Sequence, residues 1–318
     1  VIAYMVRRVL QGIVVVIVAS FITFIEAHLL PGNPARAILG VHASRAQIAA
    51  FDKANGYNLP LPLQYAAYVD RLVHGNLGFS YQLNQSVAAL LSERLPATVI
   101  LVGIAVVVAL VISVPVAVLQ AVRRNHPVDY TLTGASFAFY SMPTFWLGLM
   151  LILLLAVKVH LFPPSAPQGG PVEILSHPNG LVLPVATLAL GSIASFSRYL
   201  RSSLLDNLAE DYVRTARAKG AGHRVVIYRH VLRNALASII TLIGLSLPGI
   251  LSGALITETV FNYPGMGLLF WNSALSQDYA VMLGVTIVVA VGTVAGSLLA
   301  DLLYAVVDPR VRYQRAQS

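Results

Sequence analysis

Catalytic groups announce themselves by type and spacing, and the patterns that would break or make bonds fail here one after another. A phosphate-cradling loop needs Gly-x4-Gly-Lys-Ser/Thr. The lysines of this chain, Lys53, Lys158 and Lys219, are followed by Ala54, Val159 and Gly220, so no such loop exists. No histidine precedes a glutamate, which removes the His-Glu-x-x-His metal pattern, and no serine sits in a Gly-x-Ser-x-Gly elbow. Cysteine is absent, so there is no disulfide, thiolate nucleophile or cysteine-bound metal. Of the acidic residues near apolar stretches, Glu26, Glu258 and Asp301 fall at the ends of those stretches. They read as interfacial anchors or helix-end partners, not as the mid-depth proton site a coupled transporter requires. What is left is a chemistry of association. Residues 210–235, EDYVRTARAKGAGHRVVIYRHVLRNA, form a basic amphipathic segment between two long apolar runs.

The elements that must position this segment are set by composition. Of 318 residues, 57% are hydrophobic and 11% charged, against about half and a quarter in a soluble domain. The chain is therefore expected to be an all-α integral membrane protein. Runs of about 20 apolar residues match a hydrocarbon layer of about 30 Å crossed as helix, where every backbone polar group must be paired within its own segment. Six transmembrane helices are expected near 9–29, 97–121, 135–158, 181–203, 237–258 and 281–306. Pro115, Pro143 and Pro248 lie inside three of them as candidate kinks. Arginine and lysine cluster at Arg7-Arg8, Arg123-Arg124, residues 198–233 and the C-terminus, which places both termini in the cytoplasm. The net charge of +8 is mostly this asymmetry and implies a lipid bilayer, not nucleic acid.

Four parts follow along the chain: an N-terminal helix (1–30), an extracytoplasmic helical insertion (31–96), a five-helix core (97–308) and a cytoplasmic tail (309–318). In the insertion, Ser44-Arg45-Ala46-Gln47 has capping-box form and its helix should stop at Gly56. A second helix puts Tyr65, Tyr68, Val69 and Leu72 on one face and stops at Gly75; a third is expected at 87–95. Residues 161–180 are rich in Pro and Gly and read as irregular.

The basic segment is expected to be two short helices hinged at Gly220-Ala221-Gly222. Glu210 and Asp211 open the first and Arg214, Arg217 and Lys219 close it, which suits the helix dipole. Leu208, Tyr212, Thr215, Ala216 and Lys219 share a face, and Thr215, Ala216 and Ala218 are small enough for a partner's close approach. Val225, Tyr228, Leu232 and Leu236 should form the apolar stripe of the second helix. Anchoring to anionic lipid would explain the charge but not the glycines.

Arg214-Thr215-Ala216-x3-Gly220 resembles the EAA-x3-G loop of the permeases of binding-protein-dependent ABC importers, with Arg214 in place of the family's Glu. EDYVRTARAKG with RHVLRNA is similar to the dipeptide/oligopeptide branch. So are VRRVLQGIVVVIVASFITF, LLPGNPARAILG, ERLPATVIL, SMPTFWLGLMLILL, ETVFNYPGMG and DLLYAVVDPRVR, in order along the chain, and the long first loop looks like that of the B-type subunit. The resemblance implies a type I ABC importer permease fold in a prokaryotic cytoplasmic membrane. It also implies a second homologous permease, two ATPases that hold ATP and Mg, and an extracytoplasmic solute-binding protein; this chain itself would bind no cofactor and carry out no catalysis. By the same carry-over, residues 206–235 hold the coupling helices, with Asp211, Tyr212, Arg214, Thr215, Ala216, Lys219 and Gly220 facing the ATPase. Glu258, Tyr263, Pro264 and Gly265 would lie at the outer gate or binding-protein side, near the 31–95 loop. Peptides are the expected cargo, with nickel chelates, glutathione or haem as alternatives within the branch. A stand-alone secondary transporter or channel is the alternative from another class.

Overall fold

A computed structural model describes residues 2–29, 34–40 and 42–307. The first apolar run forms α1 (Ile2–Leu29). It is followed by α2 (Pro34–Leu39), α3 (Arg45–Asn55), α4 (Leu61–Val73) and a two-residue hairpin pair, β1 (Phe79–Ser80) and β2 (Gln85–Ser86). The core follows as α5 (Val87–Val122), α6 (Pro127–Ser141) and α7 (Thr144–Leu151), the last running on as π-helical turns to Lys158. After α8 (Pro171–Ser176) come α9 (Val182–Leu208), α10 (Asp211–Ala218) and a short α11 (His223–Val225). π-helical turns over Val226–Val231 join α11 to α12 (Leu232–Val260), and α13 (Met266–Leu275) and α14 (Tyr279–Val307) complete the chain. Among the described residues, four helices are long and apolar enough to cross a membrane: Val6–Leu29, Val87–Val122, Pro178–Leu208 and Tyr279–Leu299. The tail at 309–318 lies outside the described residues.

The insertion folds as its local signals dictate. Gln47 N–H donates to Ser44 Oγ (3.2 Å) and Ser44 N–H to Gln47 Oε1 (2.8 Å), the reciprocal capping box. α3 then ends at Gly56 in the left-handed region, φ 73°. Tyr65, Tyr68, Val69 and Leu72 of α4 pack on Phe24 of α1 and on Leu283 and Ile287 of α14, with the face expected from the sequence turned toward the bundle.

Two expectations are corrected, and one of the candidate kinks is realised. The helix expected at 87–95 is not separate: α5 runs unbroken for 36 residues through Pro96 and Pro115. At about 1.5 Å per residue that rod is longer than a hydrocarbon layer. Each proline forfeits one backbone bond, but the rod is held along its length by α9, and Leu101, Ala105, Ala109 and Ala117 are buried there. The third span is sharply bent at Pro143, one of the candidate kinks. α6 and the helix from Thr144 to Lys158 meet at 107°, because Pro143 has no N–H and forces Met142 into extended backbone, φ −75° and ψ 129°. Residues 161–180, expected to be irregular, contain α8, whose Ile174 is fully buried.

α9 is the central helix. It packs on α5, α6, α7 and α12, and it buries Phe196, Leu200 and Leu204 almost completely. α14 bridges the insertion to the core, touching α1, α12 and α13, with Gly12 of α1 lying flat on Val294.

Candidate functional site

At the end of the bundle where α9 finishes, Tyr212 Oη donates to Asn207 Oδ1 (2.8 Å) and ties α10 back to α9. Val213 is 1% exposed and is inserted among Val226, Ile227 and Val231. Burying such a side chain stabilises the docked pose by about 1.5 kcal/mol or more. Leu208, Tyr212 and Ala216 lie against the same core. The shared face read from sequence is therefore divided. Tyr212 and Ala216 seat the helix, whereas Asp211, Arg214, Thr215, Arg217, Lys219 and Gly220 are exposed. The Arg214–Asp211 pair, 3.5 Å apart and open to water on both sides, contributes little.

α10 stops in a Schellman motif. Gly220 N–H donates to Arg217 O (2.9 Å) and Ala221 N–H to Ala216 O (3.1 Å), with Gly220 at φ +82°. A Cβ at Gly220 would meet nothing within 4 Å, so glycine is required there by the dihedral angle and not by crowding. Gly222 sits at φ −65° and does not need to be glycine on that ground.

The second short helix is a correction. His223 begins a continuous helical rod that ends at Val260, so the basic stretch is the opening of a long helix and not a separate element. Its buried side also differs from the expected stripe. Leu232 is buried and Leu236 packs on the core as expected, but Val225 and Tyr228 are 46% and 60% exposed, and Val226, Ile227, Val231 and Ala235 are buried in their place. The π-helical turns at 226–231 add a residue to the turn and bring Val226 and Val231, five apart, onto one face, which a 3.6-residue period does not foresee.

A group that the sequence reading passed over stands beside this element. Arg201 of α9 holds Asp129 of α6 through two parallel bonds, Nε to Oδ1 (2.8 Å) and Nη2 to Oδ2 (2.7 Å). Asn125 N–H (3.1 Å) adds a further donor to the 2%-exposed carboxylate. Arg198, one turn earlier on α9, lies 4.8 Å from the Tyr140 ring centroid. The available signal was Asp129 itself, a carboxylate just after His126-Pro127 in the first turn of an otherwise apolar helix.

At the opposite end, Glu258, Tyr263, Pro264 and Gly265 are brought together, and all four are buried. Thr98 Oγ1 donates to Glu258 Oε1 (2.6 Å) and Gly267 N–H to Oε2 (2.5 Å), with Leu268 N–H also bonded to the carboxylate. Glu258 thus caps the first turn of α13. Tyr263 Oη donates to Ala97 O (2.6 Å), and Met266 N–H to Thr98 Oγ1 (2.9 Å). A Cβ on Gly265 would lie 2.3 Å from Glu258 Cδ, and one on Gly267 would lie 2.4 Å from Leu255 Cα. This is a closed knot joining α5, α12 and α13, and its side chains present no surface to a partner. Glu26 by contrast is exposed, and the side chain of Asp301 lies outside the described residues. Further along, Asp278 receives the Ser80 hydroxyl and Val281 N–H (3.3 Å); burial pushes its carboxyl upward while these two bonds draw it down.

Between the ends, a cavity of about 340 Å³ opens where the third span is broken. Tyr140, Thr144, Gly191, Ser192, Ser195 and Ser246 are among its lining residues, and no charged side chain lines it. Non-helical backbone at membrane depth is tolerated where it lines such a space. Among the described residues, no group of three or more His, Asp or Glu is placed to hold a metal ion.

Residues 113–313 match the family model described as "Binding-protein-dependent transport system inner membrane component", and residues 1–102 match the N-terminal model for the same membrane components. The oligopeptide transport system permease protein AppB of Bacillus subtilis is 38% identical over 98% of this chain and 99% of its own length. The dipeptide transport system permease proteins DppB of Alkalihalophilus pseudofirmus and of Escherichia coli K12 are 35% and 34% identical, covering 98% and 93% of this chain and 99% and 94% of their own. A solved chain of the inward-facing MetNI methionine ABC transporter superimposes with a TM-score of 0.58 at 18% identity, over 70% of this chain and 97% of that one. That likeness is one of fold.

Proposed function

The chain belongs to the family of inner-membrane components of binding-protein-dependent transport systems, and from that premise we propose that it is the B-type permease subunit of an importer of dipeptides or oligopeptides. Near-full-length similarity to AppB and DppB supports the peptide cargo. In this reading the chain crosses the membrane six times with both termini in the cytoplasm. The bent third helix counts as one span, and residues 31–96 form the extracytoplasmic insertion. A second permease completes the pathway, two ATPases supply the energy, and a solute-binding protein delivers the peptide.

The observation that carries the mechanism is α10: a short helix seated by Val213 and Tyr212, ended by Gly220, and left with Asp211, Arg214, Thr215 and Lys219 in solvent. An ATPase cleft that grips this exposed ridge moves α9 and the rod that opens at His223 with it, because Val213 is packed on the π-helical turns of that rod and the Tyr212–Asn207 bond ties α10 to α9. Tyr212 and Ala216 then act by fixing the helix, and the other five coupling residues by touching the partner. Glu258, Tyr263, Pro264 and Gly265 keep the outer turn rigid, so that motion at one end is delivered to the other and not absorbed.

Gly220 supplies the test. Asn tolerates the left-handed region, so Gly220→Asn keeps the Schellman turn while adding bulk to the exposed ridge, and Gly220→Trp adds more. Both variants should insert normally and lose peptide uptake, with Trp losing more ATPase co-purification than Asn. Full uptake by the Trp variant with its ATPase still attached would sink the coupling assignment.

A further inference from the structure

A cavity lies outside the permease core, between the insertion and the ends of α1 and α14. It measures about 460 Å³, within the size range of small-molecule sites. Its walls have a consistent chemistry. Four phenols line it, Tyr57, Tyr68, Tyr81 and Tyr279, together with the cations Lys53 and Arg71, and no carboxylate is among the lining residues. Lys53 and Arg71 form no ion pair with a carboxylate among the described residues. Asp278, the acid close enough to act on Tyr57, is already bonded to Ser80 and the Val281 N–H.

The cavity wall is also fixed in place. Gln64 Nε2 donates to Tyr57 O (3.0 Å) and Leu59 O (2.8 Å), while its Oε1 holds His28 Nε2 (3.1 Å). One polar group is left over. Tyr68 is 6% exposed and lines the cavity, yet its hydroxyl has no hydrogen-bond partner. A buried donor without an acceptor costs about 1–3 kcal/mol, so the site is short of one acceptor. Burial pushes the Tyr57 phenol to about 12 and that of Tyr68 upward too, which keeps both protonated and donating at neutral pH.

We propose that this cavity is a binding site for a short peptide entered by its C-terminal carboxylate, with Lys53 and Arg71 facing the anion, Tyr68 donating to it, and the aromatic walls taking an apolar side chain. The peptide identity rests on the importer reading above; the preference for a carboxylate beside an apolar group rests on the cavity alone. The site would hold cargo on the insertion side, away from the uncharged cavity at the helix break.

Calorimetric titration of the detergent-solubilised full chain, with whatever subunits accompany it, tests this using alanyl-phenylalanine and its C-terminal amide. The acid should bind about tenfold more tightly than the amide, the increment of one hydrogen-bonded charge. Tyr68→Phe, which keeps the ring, should weaken the acid about three- to tenfold, and Lys53→Gln with Arg71→Gln should erase the preference for acid over amide. Absence of binding, equal binding of acid and amide, or indifference to all three substitutions overturns the proposal. Displacement of the peptide by phosphatidylglycerol, with the same sensitivity to the variants and a tighter fit, would make this a lipid-headgroup site and also overturn it. Gly220→Asn separates the two claims: it should abolish uptake and leave this binding unchanged.

Discussion

The two turns at the ends of the bundle are built from similar raw material: a carboxylate, a tyrosine and a glycine within a dozen residues. At the turn between α12 and α13, Glu258 and Tyr263 are both fully buried, and each hydrogen-bonds a group on α5. At the other end Asp211 is exposed, Tyr212 half-buried, and their bonds stay within ten residues along the chain. The glycines differ in kind as well. Gly265 and Gly267 are required by crowding, since a Cβ would collide with Glu258 or with the backbone of Leu255, whereas Gly220 is required by its positive φ with open space beside it. One turn is finished within this chain. The other is shaped and held in place but left open to solvent, the feature on which the proposed coupling rests.

The comparison breaks most visibly at Gly267. Gly267→Val should force α13 off α12 and destabilise the fold by about 3 kcal/mol or more, the upper end for overpacking. Thermal unfolding in detergent, followed by size-exclusion chromatography, measures it; a variant with wild-type melting would refute the crowding argument. Next comes Glu258→Ala, which strands the Thr98 hydroxyl and two α13 N–H groups and leaves a void. The expected loss is about 3 kcal/mol. Glu258→Gln retains one acceptor and the volume, so it should fall between Ala and wild type. If Gln destabilises as much as Ala, the turn requires acceptors at both oxygens of residue 258, because a Gln amide sets an NH2 donor against one of the existing donors.

Much of this architecture is legible in the sequence, for physical reasons that also mark the limits. Ser44, Gln47 and Gly56 fix α3 through contacts three to five residues apart, and the apolar face of α4 follows from its period. Gly220 is readable because a Schellman end needs a left-handed residue. The break at Pro143 was visible only as a proline, since Pro115 is the same residue inside a helix that stays whole. What distinguishes them is the tertiary support around each. Burial of Glu258 and Tyr263 depends on Thr98 and Ala97, some 160 residues earlier, and no local pattern encodes that pairing. Val225 and Tyr228 were placed on the inward side of residues 223–235 because the π-helical turns break the 3.6-residue period on which that reading relied, while Leu232 and Leu236, beyond those turns, do face the core.

The Asp129–Arg201 pair sharpens the contrast from the other side, because it shows that the end carrying α10 is not uniformly loose. Asp129→Ala would leave Arg201 without its carboxylate, at an expected cost of about 2 kcal/mol, reduced from the range for fully buried pairs because Arg201 is 27% exposed. Arg201→Lys keeps the charge but not the two-pronged geometry and should cost less. Thermal stability ranks the three proteins; if Lys and Ala prove equally damaging, the fork and not the charge is what α6 requires.

The smallest effect separates the two glycines that the sequence presents as a single hinge. Gly220→Ala places a Cβ in the left-handed region and should cost about 1 kcal/mol, while Gly222→Ala, at φ −65° with nothing within 4 Å, should change stability by less than about 0.5 kcal/mol. Chemical denaturation of the two variants in one detergent resolves that gap. Equal costs would mean that the pair flexes together as a hinge. Unequal costs in the stated order mean that Gly220 sets a fixed turn, which holds the exposed side of α10 as a rigid ridge.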